Sequence, residues 1–356
     1  MKRRLGIATL TILAILFSAC GGGTAAPTPS ASASASASAT ATAAAKKVRV
    51  GLVTDVGGLD DKSFNALANK GRMDAQTQLG VDTNVIESKE QANYVPNLTN
   101  FAQQGYDLVI GVGFLMTNAV WKVAKQFPNV TFAIIDGAPA DDSGKTENLA
   151  NVANLFFKEQ EAGYLVGVIA GEMEKGKVGK ATTNTACAMG GIPIPPVDRY
   201  IAGYQDALGK YGVKVLVGYS QSFTDQQKGV EIGNQHIAQG CSILFQVAGA
   251  SGLGYIQAAK AKGVYAIGVD ADQNYIAPDT VITSALKRVD KAVFDTTKAV
   301  QSNSFKAGDN FFSATNDGIG YGTLSKDVPA SAKTAADQAL ADIKSGKIKP
   351  SDTVKK

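Results

Sequence analysis

Histidine is almost absent from this chain: His236 is the only one in 356 residues, beside three cysteines and a single tryptophan. One His and three Cys argue against a multi-ligand zinc site or a Ser-His-Asp triad as the basis for function. His236 sits between Ile232 and Ile237 in a helical pattern and reads as packing or surface rather than catalysis. Strong charge of one sign is also missing. Removing Lys2, Arg3 and Arg4 with a leader takes the 35 basic residues to 32 against 31 acidic ones, a formal charge of +1. That balance gives no electrostatic case for a nucleic-acid partner. Beyond the first twenty residues no run of 18 uninterrupted apolar residues occurs, so no transmembrane helix is expected. What is present is a chain 45% hydrophobic and 19% charged, with 38 Gly, long enough for two lobes of ordinary domain size.

The first residues read as an export signal. Lys2–Arg4 are a positive start, and Leu5 to Phe17 form an apolar core too short for a permanent anchor. Ser18 and Ala19 then precede Cys20, the arrangement of a lipoprotein cleavage site, so Cys20 is the expected lipidation site. Residues 21–45 contain no charge and nothing larger than Thr or Pro. Such a stretch cannot bury enough apolar area to offset its ordering entropy, and at about 25 residues it reaches roughly 25–30 Å as a tether. The expected location is therefore outside the cytoplasm, lipid-anchored to the cell membrane.

From Lys47 the pattern alternates strands and helices, with strands at 48–54, 85–88, 108–112 and 131–135 and helices at 63–79, 94–105 and 117–127. After Asn154 the same grammar restarts, with helices at 158–173, 197–211, 226–239 and 253–262. Its strands fall at 178–185, 214–219, 242–247 and 265–269. Two doubly wound α/β units in succession predict a two-lobed body with parallel sheets. The remainder adds a strand at 281–284, a helix at 289–300, a strand pair around 311–324 and a helix at 330–345. The expected division is a signal at 1–20, a linker at 21–46, an N-terminal lobe at 47–155 and a C-terminal lobe at 156–272. Residues 273–310 are expected to return to the first lobe and 311–348 to the second, leaving a tail at 349–356. Cys187 would then lie near the end of one strand and Cys241 at the start of its parallel neighbour. Their sulfurs would be too far apart to bridge, so two free buried thiols are expected.

In open parallel sheets ligands bind beyond the carboxyl ends of the strands, so residues just after each strand are the ones to read. The first strand is followed by Thr54-Asp55-Val56-Gly57-Gly58-Leu59-Asp60-Asp61-Lys62-Ser63-Phe64-Asn65. Helix capping accounts for Asp61 or Ser63. It leaves Asp55 at the strand tip and Phe64 and Asn65 on the first helical turn. A carboxylate, an amide and an aromatic face converging on one spot suit a polar, planar ligand. Gly111-Val112-Gly113-Phe114 after the third strand lets backbone approach a ligand, as does the Gly-rich stretch around Gly249. The latter lacks the G-x-G-x-x-G spacing of a dinucleotide site. Asp270, at the tip of another strand, can accept from vicinal hydroxyls or cap its own turn. Lys287 is either a donor into the cleft or a solvated cation at a helix start. Gly171–Lys177 resembles a Walker A loop, but Val178 stands where Ser or Thr is required and the order is helix to strand. Asp136 with Glu159 or Glu161 could form a carboxylate pair.

Several segments together resemble the basic membrane protein family. They are TDVGGLDDKSFN (54–65), GVGF (111–114), FKEQEAGYLVG (157–167), GGIPIPPVDRYIAGY (190–204), SFTDQQKG (222–229) and GVDADQ (268–273). Its members are substrate-binding lipoproteins of ABC importers, similar to bacterial purine nucleoside receptors. The resemblance implies a type I periplasmic-binding fold, with a nucleoside held between two lobes that three crossing segments join. It implies that Phe64 stacks on the base and that a second aromatic, best represented by Phe223, closes from the other lobe. By the same resemblance Asp55 and Asn65 read base edges, Asp270 grips ribose hydroxyls and Lys287 adds a donor. The partners implied are a nucleoside and the permease subunits of an importer, with no cofactor or metal, and the protein is expected to be a monomer. Residues 181–196 depart from the family in being longer and more polar. The competing readings are a receptor of the same build for a sugar or related solute and, more distantly, an exported nucleoside-processing enzyme. For the enzyme the sequence offers no nucleophile–base pair, metal cluster or dinucleotide fingerprint.

Overall fold

The computed structural model describes residues 47–355; the leader, Cys20 and the linker lie outside the described residues. In the first lobe β1 (Arg49–Val53), β2 (Asp82–Ile86), β3 (Leu108–Val112), β4 (Thr131–Ile135) and β5 (Val152–Phe157) are joined through α1 (Phe64–Leu79), α2 (Tyr94–Gln103) and α3 (Thr117–Gln126). The second lobe runs through α4 (Glu159–Lys175), β6 (Thr185–Gly190), α5 (Pro195–Lys210), β7 (Lys214–Tyr219) and α6 (Gln226–Ala238). It continues with β8 (Ile243–Val247), α7 (Gly249–Lys262), β9 (Tyr265–Asp270) and β10 (Val281–Lys287). The chain ends in α8 (Val289–Gln301), β11 (Gly308–Phe312), β12 (Ile319–Tyr321) and α9 (Ala330–Lys344).

Two six-stranded sheets result, in the orders β11-β5-β4-β3-β1-β2 and β12-β10-β9-β8-β6-β7. Every neighbouring pair is parallel except β10 with β12. Strands β3, β8 and β9 are buried along their whole length. That is why β3 reads as an unbroken apolar run and β8 and β9 are interrupted only by Gln246 and Asp270: helices cover both faces of a parallel sheet. The two orders superpose element on element, so β1, β3, β4 and β5 of one lobe correspond to β6, β8, β9 and β10 of the other.

The chain crosses between the lobes at Lys158, at Arg288 and between Ser313 and Gly318, and backbone hydrogen bonds stitch these crossings together. Lys158 N donates to Phe312 O at 2.9 Å and Arg288 N to Gly318 O at 2.9 Å. The buried Glu161 accepts from Ala314 N at 2.7 Å. Strand β10 belongs to the second sheet, so the return to the first lobe begins after Lys287 and not at Gln273. The link from β9 to β10 contains no α-helix, and a strand without its crossover helix reads in sequence as leaving the lobe. Likewise β11 and β12 do not pair with each other; β11 adds to β5 and β12 to β10.

The cysteine expectation is overturned. Cys187 and Cys241 form a disulfide, with Cα atoms 5.8 Å apart. The strand expected at 178–185 actually lies at Thr185–Gly190. Cys187 therefore stands near the start of β6, level with the residues entering β8, and the two sulfurs meet at one end of the sheet. The segment 178–185 carries the β-branched Val178, Thr182, Thr183 and Thr185, but tertiary pairing selects TACAMG.

Helices α4 and α5 touch backbone to backbone at Gly163 and Gly203. A Cβ on Gly163 would collide with the carbonyl oxygen of Tyr200, and one on Gly203 with that of Gln160. This close approach fixes the first turns of α5 beside the crossing segments.

Candidate functional site

The carboxyl ends of both sheets face a shared cavity, lined from both lobes and partly open to solvent. All ten residues singled out from the sequence line it. Asp55, Asp61, Phe64, Asn65, Gly113 and Phe114 come from the first lobe, and Phe223, Gly249, Asp270 and Lys287 from the second.

The loop after β1 explains its own residues. Asp61 accepts from the N–H groups of Ser63 at 2.9 Å, Asn65 at 2.8 Å and Ala66 at 3.1 Å, so it caps α1. The amide of Asn65 donates to Asp55 Oδ1 at 2.8 Å and to Asp61 Oδ2 at 3.0 Å, while its Oδ1 accepts from Asp55 N at 3.2 Å. Both hydrogens of the amide are thus committed to carboxylates. Asp55 Oδ1 also accepts from Gly57 N at 2.8 Å. Its other oxygen faces Gly113, where a Cβ would stand 3.0 Å from Oδ2 and 3.5 Å from the Phe64 ring. Gly113 has φ 111°, a conformation open to glycine. Burial pushes the Asp55 carboxyl up to about 6, the Gly57 and Asn65 hydrogen bonds pulling the other way.

Asp270 ends β9 with φ 59°. Its Oδ1 accepts from Tyr200 at 3.0 Å and its Oδ2 from Ser63 at 2.8 Å, the latter a bond between lobes. A second interlobe bond runs from Gln273 Nε2 to Lys62 O at 3.1 Å. Burial raises the Asp270 carboxyl against the pull of the Lys287 charge.

Lys287 is a cleft residue and no solvated cation, since it is 1% exposed. It donates to Asp136 Oδ2 at 2.6 Å and to Glu159 Oε1 at 2.9 Å. Its ammonium stands 4.9 Å from the Phe157 ring and 5.1 Å from that of Phe64, within cation–π range. Burial works against its charge, yet Asp136, Glu159 and Asp270 hold it above the usual lysine value. Arg199 takes the far oxygen of Glu159 at 2.6 Å. The carboxylate pairing considered for Asp136 and Glu159 is therefore real, but as two arms on one lysine, and Glu161 lies apart at a crossing segment.

Residues 47–352 match the Bmp family, described as ABC transporter substrate-binding protein PnrA-like. The chain belongs to this family. Similar relatives include an uncharacterized lipoprotein of Pyrococcus furiosus, 34% identical over 340 residues, which cover 90% of this chain and 78% of the relative. The CD4+ T-cell-stimulating antigen of Listeria monocytogenes is 31% identical over 359 residues, covering 92% of this chain and 94% of the antigen. Basic membrane protein B of Borreliella burgdorferi is 33% identical over 261 residues, 70% of this chain and 72% of that protein. Among solved structures, an ABC transporter solute-binding protein of Aeropyrum pernix has a TM-score of 0.77 at 30% identity, covering 85% of this chain and 92% of its own. The two lobes form the type I periplasmic-binding fold, and the chain is a Bmp-family ABC substrate-binding protein.

In this Bmp-family chain Tyr200, Arg199 and the cavity position of Asp136 are not evident from the sequence. Tyr200 lines the cavity from α5, where helical spacing made it look like any core aromatic. Arg199 and Glu159 meet across two elements, which no spacing rule reveals. Among the described residues no cluster of three or more His, Cys, Asp or Glu is arranged to hold a metal ion, and no helix is long and apolar enough to cross a membrane. The cavity offers buried carboxylate acceptors and aromatic faces, a surface suited to a ligand bearing N–H and O–H donors on a flat ring system.

Proposed function

We propose that this protein captures a nucleoside, purine favoured, between its lobes and delivers it unchanged to the permease of an ABC importer. It does so as a lipid-anchored monomer outside the cytoplasm. The observation that carries this reading is that Phe64 from one lobe and Phe223 from the other line a single cavity whose remaining polar groups are mostly carboxylates. Stacking on aromatic faces contributes about 1–3 kcal/mol per base. In this reading the base lies between Phe64 and Phe223. The free oxygen of Asp55 reads its edge, Asn65 holds Asp55 in place, Asp270 grips the ribose and Lys287 adds a donor. Closure of the lobes over the ligand creates a form the permease distinguishes from the empty one.

The same groups suit a monosaccharide, and calorimetric titration separates the two. Inosine, adenosine, cytidine, free hypoxanthine, ribose, glucose and galactose are titrated in parallel. Tightest binding by a purine nucleoside supports the proposal, and tightest binding by a sugar overturns it. Chromatography of the bound nucleoside after release tests for turnover: free base among the products would make the protein an enzyme.

A further inference from the structure

Gln246 of β8 and Gln273, three residues beyond β9, are both fully buried, and neither lines the cavity. The second lobe is built around them. A Cβ on Gly252 would collide with Gln246 Oε1, and one on Gly268 would stand 2.7 Å from Gln273 Oε1. Gln273 Oε1 accepts from Val269 N at 3.1 Å and from Gln246 Nε2 at 2.7 Å, which fills both of its lone pairs. A flipped amide would turn Nε2 against the Val269 N–H, so the amide has one orientation. The main-chain N of Gln273 donates to Ser284 Oγ at 2.9 Å and fixes the residue further. Nε2 is thereby aimed out of the second lobe, at Lys62 O of the first, 3.1 Å away.

These bonds form a head-to-tail chain from the cavity to the seam between the lobes. Gly249 lines the cavity and opens α7. The residue before it, Ala248, donates its N–H to Gln246 Oε1 at 3.0 Å. Gln246 donates in turn to Gln273, and Gln273 to Lys62 O. Buried dipoles aligned in this way polarise one another. At the receiving end Lys62 has φ 56°, a sparsely populated conformation kept where the surroundings over-determine it. Its neighbour Ser63 donates to Asp270 Oδ2 at 2.8 Å and to Val269 O at 3.1 Å. The second lobe thus holds two consecutive residues of the first by different means, for Asp270 lines the cavity and Gln273 does not.

We propose that Gln273, oriented by Gln246, is a positioning residue for closure: a latch that stabilises the closed receptor without reading its cargo. This rests on the receptor reading above and deepens it. The bond to Lys62 O exists only with the lobes together, so its loss favours the open form and lets the ligand leave. Because Gln273 does not line the cavity, that loss is the same factor for every ligand. The Ser63–Asp270 bond cannot show this, since Asp270 belongs to the cavity as well as to the seam.

The test compares wild type with Gln273→Glu and Gln246→Met in binding inosine, 2′-deoxyinosine and ribose, by stopped flow at pH 8, where a carboxyl in water is ionised. Gln273→Glu keeps the size of the side chain and both acceptor bonds within the second lobe, but turns the donor facing Lys62 O into an acceptor. Gln246→Met breaks the chain one step earlier and serves if Gln273→Glu does not fold. Gln273→Glu is expected to raise the dissociation rate about tenfold or more and Gln246→Met about threefold or more. Association should stay within about twofold, with one factor for all the ligands that wild type binds. Unchanged dissociation rates would overturn the latch. So would factors differing more than about threefold between ligands, the mark of a residue that touches the cargo. If wild type binds ribose and not inosine, the nucleoside reading fails while the ribose rates still decide the latch. If it binds none of the three, the receptor reading fails for these ligands, and small-angle scattering of the ligand-free proteins decides. A larger radius of gyration in Gln273→Glu than in wild type supports the latch, and equal radii overturn it.

Discussion

Ser63, the residue immediately before α1 in the first lobe, donates to Asp270 Oδ2 at the tip of β9 in the second at 2.8 Å. A bond made only when the lobes are together stabilises the closed form and slows release. Ser63→Ala should therefore weaken ligand binding about tenfold, near 1.4 kcal/mol, and the change should fall on the dissociation rate. Stopped-flow displacement measures it, and an unaltered dissociation rate would remove Ser63 from closure. Asp270→Ala should lose this bond and the ribose contact together, so its loss for ribosides should exceed that of Ser63→Ala, while its loss for free base should match it.

Phe64 opens α1 and faces the cavity beside Gly113. Truncation to alanine removes the proposed stacking surface while leaving the carboxylates in place. Phe64→Ala should cost a purine nucleoside roughly tenfold or more, given about 1–3 kcal/mol per stacked base, and leave ribose binding little changed. Retention of full nucleoside affinity would reduce the ring to packing.

Asp55 makes stability depend on pH. Its ordinary value is 3.8 and burial pushes it up to about 6 in the folded protein, so between those values the folded state binds more protons than the unfolded one. This group's contribution to stability therefore falls as pH rises from about 4 through 6 and stays low above, on the order of 3 kcal/mol for a shift of this size. Asp55→Asn should melt higher than wild type at pH 7.5 without ligand, the gain vanishing near pH 3. Ligand affinity should fall in the same variant. An equal gain at both pH values would show that the buried charge is not its origin.

The Cys187–Cys241 disulfide spans 54 residues of the second lobe. Loop-closure entropy puts its stabilisation at roughly 4 kcal/mol, with typical measured effects of about 2–4 kcal/mol. Replacing both cysteines with alanine should lower the unfolding free energy by about that amount in urea titrations. Because the bridge lies at the entry ends of β6 and β8 and the cavity at their exits, ligand affinity should hold. A large loss of affinity with little loss of stability would contradict this division.

Much of the fold was legible because its central strands are buried on both faces. Leu108–Val112 and Thr131–Ile135 have the bounds read from the sequence. β6 was misplaced because Thr185–Gly190 carries small residues and Cys where β-branched ones are expected, and the disulfide was missed with it. β5 escaped because the buried polar Asn154 interrupts its run, its amide held by Asp309 at 2.9 Å. At the candidate site the strand-tip rule located Asp55, Gly113, Gly249 and Asp270, each within a few residues of its strand. Tyr200 and the Glu159–Arg199 pair depend on how α4 and α5 cross, which is tertiary information. Asp61 and Asn65 lie where expected, but their hydrogen bonds go to the loop itself.

With Gly163 set against the carbonyl of Tyr200 and Gly203 against that of Gln160, the wall bearing Tyr200 and Arg199 has no slack for a methyl group. Lineages drifting toward a different cargo would keep this joint unchanged and vary instead the loops at the strand ends, where an altered side chain meets only the guest. The same constraint guides anyone re-engineering the receptor as a sensor: diversify the loop tips and leave the helix crossing alone.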